Sequence, residues 1–191
     1  MDRLKEKILQ EGRYLGNGIL KVDSFMNHQI DPILMKEIGQ EFARRFALHN
    51  IKATRILTAE ASGIAPSLSL AMALQIPVVF ARKNKPVTMA DKSFTERAES
   101  HTQGKMVDLT VSSAYLTPQD KIIIVDDFLA SARTLKALVK IVAQAQAQLV
   151  AVGAVIEKSF EGGRSALSDL NVPIESLATI ASFDDDKVNF A

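Results

Sequence analysis

The chain has no cysteine, which excludes disulfides and thiolate metal centres. It also lacks an excess of either charge, with 23 basic against 22 acidic residues. A dedicated nucleic-acid binder ordinarily carries a strong basic surplus to neutralise phosphates, so no nucleic-acid partner is expected. No apolar stretch is long enough to span a bilayer, so no membrane partner is expected either. Met1 to Gln10 reads as a charged amphipathic helix without the apolar core of a signal peptide, which points to the cytoplasm. Repeats, low-complexity segments, GxGxxG, Walker and GxSxG motifs are all missing. His28, His49 and His101 are too scattered for metal-ligand spacing. His49, near a helix end, reads as a surface or capping residue. His28, beside Asn27, has a weak claim on a binding segment. Asp184 to Asp186 lacks the pattern of a calcium loop and reads as a solvated turn.

What is present is 191 residues, enough for one domain with a substantial core. Lys121–Val125 and Leu149–Ile156 are apolar and rich in β-branched residues. Arg55–Thr58 and Ile76–Ala81 are shorter versions. Such runs fit strands buried on both faces of a parallel sheet. Ser62–Leu74 and Thr134–Gln146 read as helices between them, the second with Leu135, Leu138, Val139 and Val142 on one face. The alternation predicts an α/β fold: a parallel sheet with helices on both faces. Asn17-Gly18 between apolar flanks predicts a hairpin turn. Asp31-Pro32 predicts a helix start, Asp as cap and Pro in the first turn. Asn84–Gly104 is long and polar, as an active-site lid or a disordered segment would be, and it could partly extend into a hairpin with Met106–Ala114.

The chemistry concentrates in Ile122–Thr134. An apolar strand leads into Asp126 and Asp127, then into small residues, then into a helix. In open α/β sheets ligands bind beyond the carboxyl ends of the strands. Unpaired N–H groups of such a loop and first helical turn can cradle a phosphate, with the hydroxyls of Ser131 and Thr134 as further donors. The two carboxylates above it could accept hydrogen bonds from sugar hydroxyls. The plain alternative is that Ser131 caps the helix and the acids are solvated.

Val125–Thr134 resembles the phosphoribosyl-diphosphate motif of the type I phosphoribosyltransferases. Leu20–Pro32, Ala61–Pro66, Val78–Lys83 and Val155–Phe160 resemble, in matching order, the xanthine-using purine members of that family. The resemblance covers nearly the whole chain. It implies transfer of the phosphoribosyl group from phosphoribosyl diphosphate to xanthine. The fold it implies is a single domain, with residues 12–30 in a base-binding hood and 84–112 as a flexible active-site loop. Asp126 and Asp127 would be catalytic. Ala130, Ser131, Ala132, Arg133 and Thr134 would hold the 5′-phosphate; Ser62, Gly63, Arg82 and Lys83, helped by Lys85, would hold the diphosphate. Leu20, Asn27 and Lys158 would contact the base, with Phe128 or Phe160 stacking on it. Magnesium carried by the diphosphate and a homodimer are further implications. Guanine or hypoxanthine as the base, or a purine-responsive regulator without turnover, are the alternatives.

One position departs from the family pattern. The phosphate loop usually has glycine where this chain has Ala132. Alanine is disfavoured at positive φ, so either the loop keeps negative φ here or phosphate binding is altered. Arg133 could compensate, because a guanidinium pairs well with phosphate, or it could point to solvent.

Overall fold

The computed structural model describes residues 1–83, 92–99, 106–184 and 187–191. Lys85, His101, Asp185, Asp186 and the greater part of the expected lid lie outside them. Helix α1 (Asp2–Glu11) leads into a short hairpin, β1 (Arg13–Tyr14) and β2 (Leu20–Lys21). Asn17 and Gly18 both have positive φ in the connection, as the turn signal predicts. Helix α2 (Pro32–Leu48) starts where expected: the Asp31 carboxylate accepts from the N–H groups of Ile33 and Leu34, and Pro32 fills the first turn.

The main sheet contains β3 (Arg55–Ala59), β4 (Val78–Ala81), β7 (Lys121–Leu129), β8 (Gln148–Lys158), β9 (Ile174–Asp184) and β10 (Lys187–Phe190). Their order is β10-β9-β8-β7-β3-β4, parallel except for the antiparallel edge strand β10. Helices α3 (Ile64–Leu74) and α4 (Arg133–Gln144) complete the crossovers. Helices cover both faces, because successive residues of β7 bury in opposite directions. Ile123 and Val125 join a core with Leu4, Phe42 and Phe46, whereas Ile122 and Ile124 join one with Leu135 and Ile141.

One sequence expectation changes: the central strand β7 does not end at its acids but runs on through Asp126 and Asp127 to Leu129. The hairpin foreseen with Met106–Ala114 is an antiparallel ribbon, β5 (Ser93–Glu99) with β6 (Met106–Ser112). The ribbon is anchored on α4, where the Gln144 amide accepts from Thr95 N–H and donates to Thr95 O, both at 3.1 Å.

Candidate active site

Strands β8, β7 and β3 are successive parallel neighbours, so their carboxyl ends open onto one rim. A cavity of about 470 Å³ lies there. On its floor Asp126 is buried and Asp127 half-buried. Asp126 Oδ1 accepts from the N–H of Asp127 at 3.0 Å, and Asp127 Oδ1 accepts from that of Phe128 at 3.0 Å. Burial, with the Asp127 carboxylate beside it, pushes the Asp126 carboxyl well above the ordinary carboxylate range. This acid therefore holds its proton to higher pH than a solvated one would.

Ala130 to Thr134 line the next wall. Helix α4 has no side-chain cap, so Ser131 does not serve as one, and the first-turn N–H groups are left for an anion. Ala132 adopts φ 63° and ψ 17°, the left-handed conformation a glycine would take there, and it is buried with the core under α4. The loop thus keeps the glycine-type backbone despite the methyl group. Left-handed backbone costs an L-residue roughly 1–2 kcal/mol. Glycine would lift that strain, but it would lose a buried methyl and gain unfolded-chain entropy of about 0.4–1 kcal/mol. Ala132→Gly is therefore expected to shift stability by less than about 1 kcal/mol and to leave the KM for phosphoribosyl diphosphate within about threefold. Ala132→Val, β-branched at positive φ, should be clearly destabilised in a denaturant titration. Arg133 is exposed at the cavity edge, where it forms an ion pair with Glu99 at the end of β5, 2.6 Å away.

Opposite, the turn after β3 carries Ser62 and Gly63, which also line the cavity. Gly63 is required by close approach. A methyl on it would run into Thr58 Oγ1 and come within 2.9 Å of Asp126 Oδ1. Glu60 stitches this turn to the end of β4. It accepts from the N–H of Lys83 at 2.6 Å and lies 2.9 Å from Arg82 Nε, off hydrogen-bond alignment. The two basic residues read together in the sequence therefore part company. Lys83 lines the cavity, whereas Arg82 turns to Glu60 and lies over the Phe80 ring, outside it.

Leu20, Asn27, Phe128 and Lys158 line the cavity beside the acids. Asn27 closes a five-residue wide turn, Asp23–Asn27, and donates to Asp127 Oδ2 at 3.0 Å. Lys158, the last residue of β8, is 5% exposed. Its ammonium donates to Gly18 O at 3.0 Å and lies 5.8 Å from the centre of the Phe128 ring. Its neighbour Glu157 faces the other way, where Arg164 grips it at 2.6 and 2.8 Å. Of the two candidate stacking rings, Phe128 lines the cavity. Phe160 does not, and packs edge-on against Phe183. His28 is exposed and outside the cavity, while His49 ends α2 beside Glu175 at 2.8 Å.

Sequence reading placed Glu60 in the diphosphate turn without giving its side chain a role, and it missed Glu99, Glu161 and the ribbon residues Val107 and Leu109. Glu161 had a signal, an acid three residues beyond Lys158. The ribbon residues had none, because only the fold of the ribbon brings them to the rim.

A pair of adjacent acids, one buried and one half-buried, beside an uncapped, glycine-like anion loop at the carboxyl edge of a parallel sheet is the constellation of a sugar-phosphate site. The phosphoribosyl transferase domain model matches residues 28–183, and the chain belongs to that family. Among curated relatives it is 49% identical over 190 residues to the xanthine phosphoribosyltransferase of Moorella thermoacetica, covering 100% of this chain and 96% of the relative. It is 46% identical over 190 residues to the xanthine phosphoribosyltransferase of Ectopseudomonas mendocina, covering 100% and 99%. Among solved structures, adenine phosphoribosyltransferase from Trypanosoma brucei, in complex with AMP, pyrophosphate and ribose-5-phosphate, superposes with a TM-score of 0.77 at 20% identity, over 92% of this chain and 79% of that one. The Saccharomyces cerevisiae adenine phosphoribosyltransferase gives 0.75 at 26% identity, over 92% and 97%. Among the described residues no helix is long and apolar enough to cross a membrane.

Proposed function

We propose that the protein transfers the 5-phosphoribosyl group from phosphoribosyl diphosphate to N9 of xanthine, giving xanthosine 5′-monophosphate and pyrophosphate in cytoplasmic purine salvage. The observation that carries this reading is one cavity lined by Asp126, Asp127, the Ala130–Thr134 loop and the Lys158 side chain. The N9 lone pair attacks the anomeric carbon as the diphosphate leaves with the bonding electrons, and the imidazole-ring proton is released. Positive charge grows on the sugar, where the Asp127 carboxylate, beside the less readily ionised Asp126, stabilises it. Negative charge grows on the leaving group, which Lys83, the Ser62-Gly63 turn and the magnesium arriving with the substrate neutralise. The α4 N-terminus holds the 5′-phosphate. Lys158 donates to a base carbonyl, Asn27 reads another edge, and Leu20 and Phe128 enclose the ring.

A second copy of the chain is the partner this reading expects. Leu68 and Met72, one turn apart on α3, and Phe80 on the edge strand β4 are exposed and supply apolar surface for it. The test is nucleotide formation from phosphoribosyl diphosphate and magnesium with xanthine, guanine, hypoxanthine and adenine in turn. Xanthine is expected to be used best. Product from no base would end the reading, and a preference for guanine or hypoxanthine would remove its specificity.

A further inference from the structure

Glu161 has no part in the transfer as described, yet its carboxylate pairs with the Lys158 ammonium. It ends the single turn Ser159–Glu161, which is fixed from two sides. Ser159 Oγ donates to Ile180 O at 3.1 Å, and Arg164, just beyond the turn, is locked onto the buried Glu157 at 2.6 and 2.8 Å. An ammonium on a four-carbon stem otherwise rotates among its contacts. Here Gly18 O accepts one proton at 3.0 Å and Glu161 takes a second. An ammonium has three donors, so one is left for the cavity that Lys158 lines.

We infer that Glu161 is a positioning residue for base recognition: together with Gly18 O it orients the Lys158 ammonium so that its remaining N–H faces the purine carbonyl. The pairing also leaves the two side chains jointly neutral, which suits an uncharged oxopurine better than an unpartnered cation would. The inference rests on the reading of Lys158 as a base contact.

A double-mutant cycle between the two residues tests it, with KM measured for both substrates and thermal unfolding followed for every variant. Lys158→Met is chosen because it keeps the buried stem filled. Glu161→Ala is expected to raise the KM for xanthine about tenfold or more, as for the loss of a charge-assisted hydrogen bond, with the KM for phosphoribosyl diphosphate within about twofold. Glu161→Gln, which keeps an acceptor oxygen in place, should recover most of that loss. In the Lys158→Met background Glu161→Ala should add nothing further to the xanthine KM. An equal rise for both substrates, or a full effect of Glu161→Ala without the lysine, overturns the inference. So does an unchanged xanthine KM in Glu161→Ala when Lys158→Met raises it; that pattern leaves the base-contact reading standing. An unchanged xanthine KM in Lys158→Met removes the base contact itself, and the inference with it.

Discussion

Asp127→Asn is expected to lower turnover by about 100- to 1000-fold, the loss typical of removing one preorganised group from a developing charge. Asparagine is close to isosteric with aspartate but has no negative charge to set against the cation forming on the sugar. The fold should tolerate the change for a specific reason. The carbonyl of the introduced amide can still accept from the Phe128 N–H that Asp127 Oδ1 now satisfies at 3.0 Å. The other contact, Asn27 Nδ2 to Asp127 Oδ2 at 3.0 Å, would set amine against amine, and rotation of the Asn27 amide restores a donor–acceptor pair. The expected result is thus a near-normal melting temperature with a collapsed kcat. Unchanged kinetics would mean that the acids are ordinary strand-end residues.

The second large effect is at Lys158. Lys158→Met should raise the KM for xanthine about 10- to 100-fold, because a charge-assisted hydrogen bond to a carbonyl is lost. The KM for phosphoribosyl diphosphate should hardly move, since Lys158 pairs with Gly18 O and Glu161 and, among the described residues, makes no hydrogen bond or ion pair with the Ala130–Thr134 loop. A modest fall in melting temperature should accompany it, because the Lys158 ammonium also anchors the hairpin turn through Gly18 O at 3.0 Å. Equal losses for both substrates would place Lys158 among the general supports of the fold and away from the base.

The local signals in the sequence were sound wherever the physics is local. Asp31-Pro32 specified a helix start and Asn17-Gly18 a turn, because capping and positive φ depend on a few adjacent residues. Ile122–Val125 specified a strand buried on both faces, because an unbroken β-branched run has no solvent side. Strand β9 was not legible: its burial mixes inward and half-exposed positions without clean alternation, so no period stands out. The ribbon's polar arms gave an equally poor signal, although a hairpin there was among the readings.

Composition and motif order therefore determined the α/β class, and the family resemblance singled out the acids, the small-residue loop, Asn27 and Lys158 as candidates. Only the tertiary structure decided how those groups are used. Ala132 takes the left-handed backbone in place of the expected glycine, because the strand before it and the helix after it are both held by buried cores. Arg82 is turned away from the cavity by Glu60, which comes from a different strand end. Lys158 is held by Gly18 from the hairpin, 140 residues away in the chain, and by Glu161 from the turn that follows it. Glu60 and Gly18 meet their partners only once the sheet is assembled, and no local pattern of residues encodes those pairings.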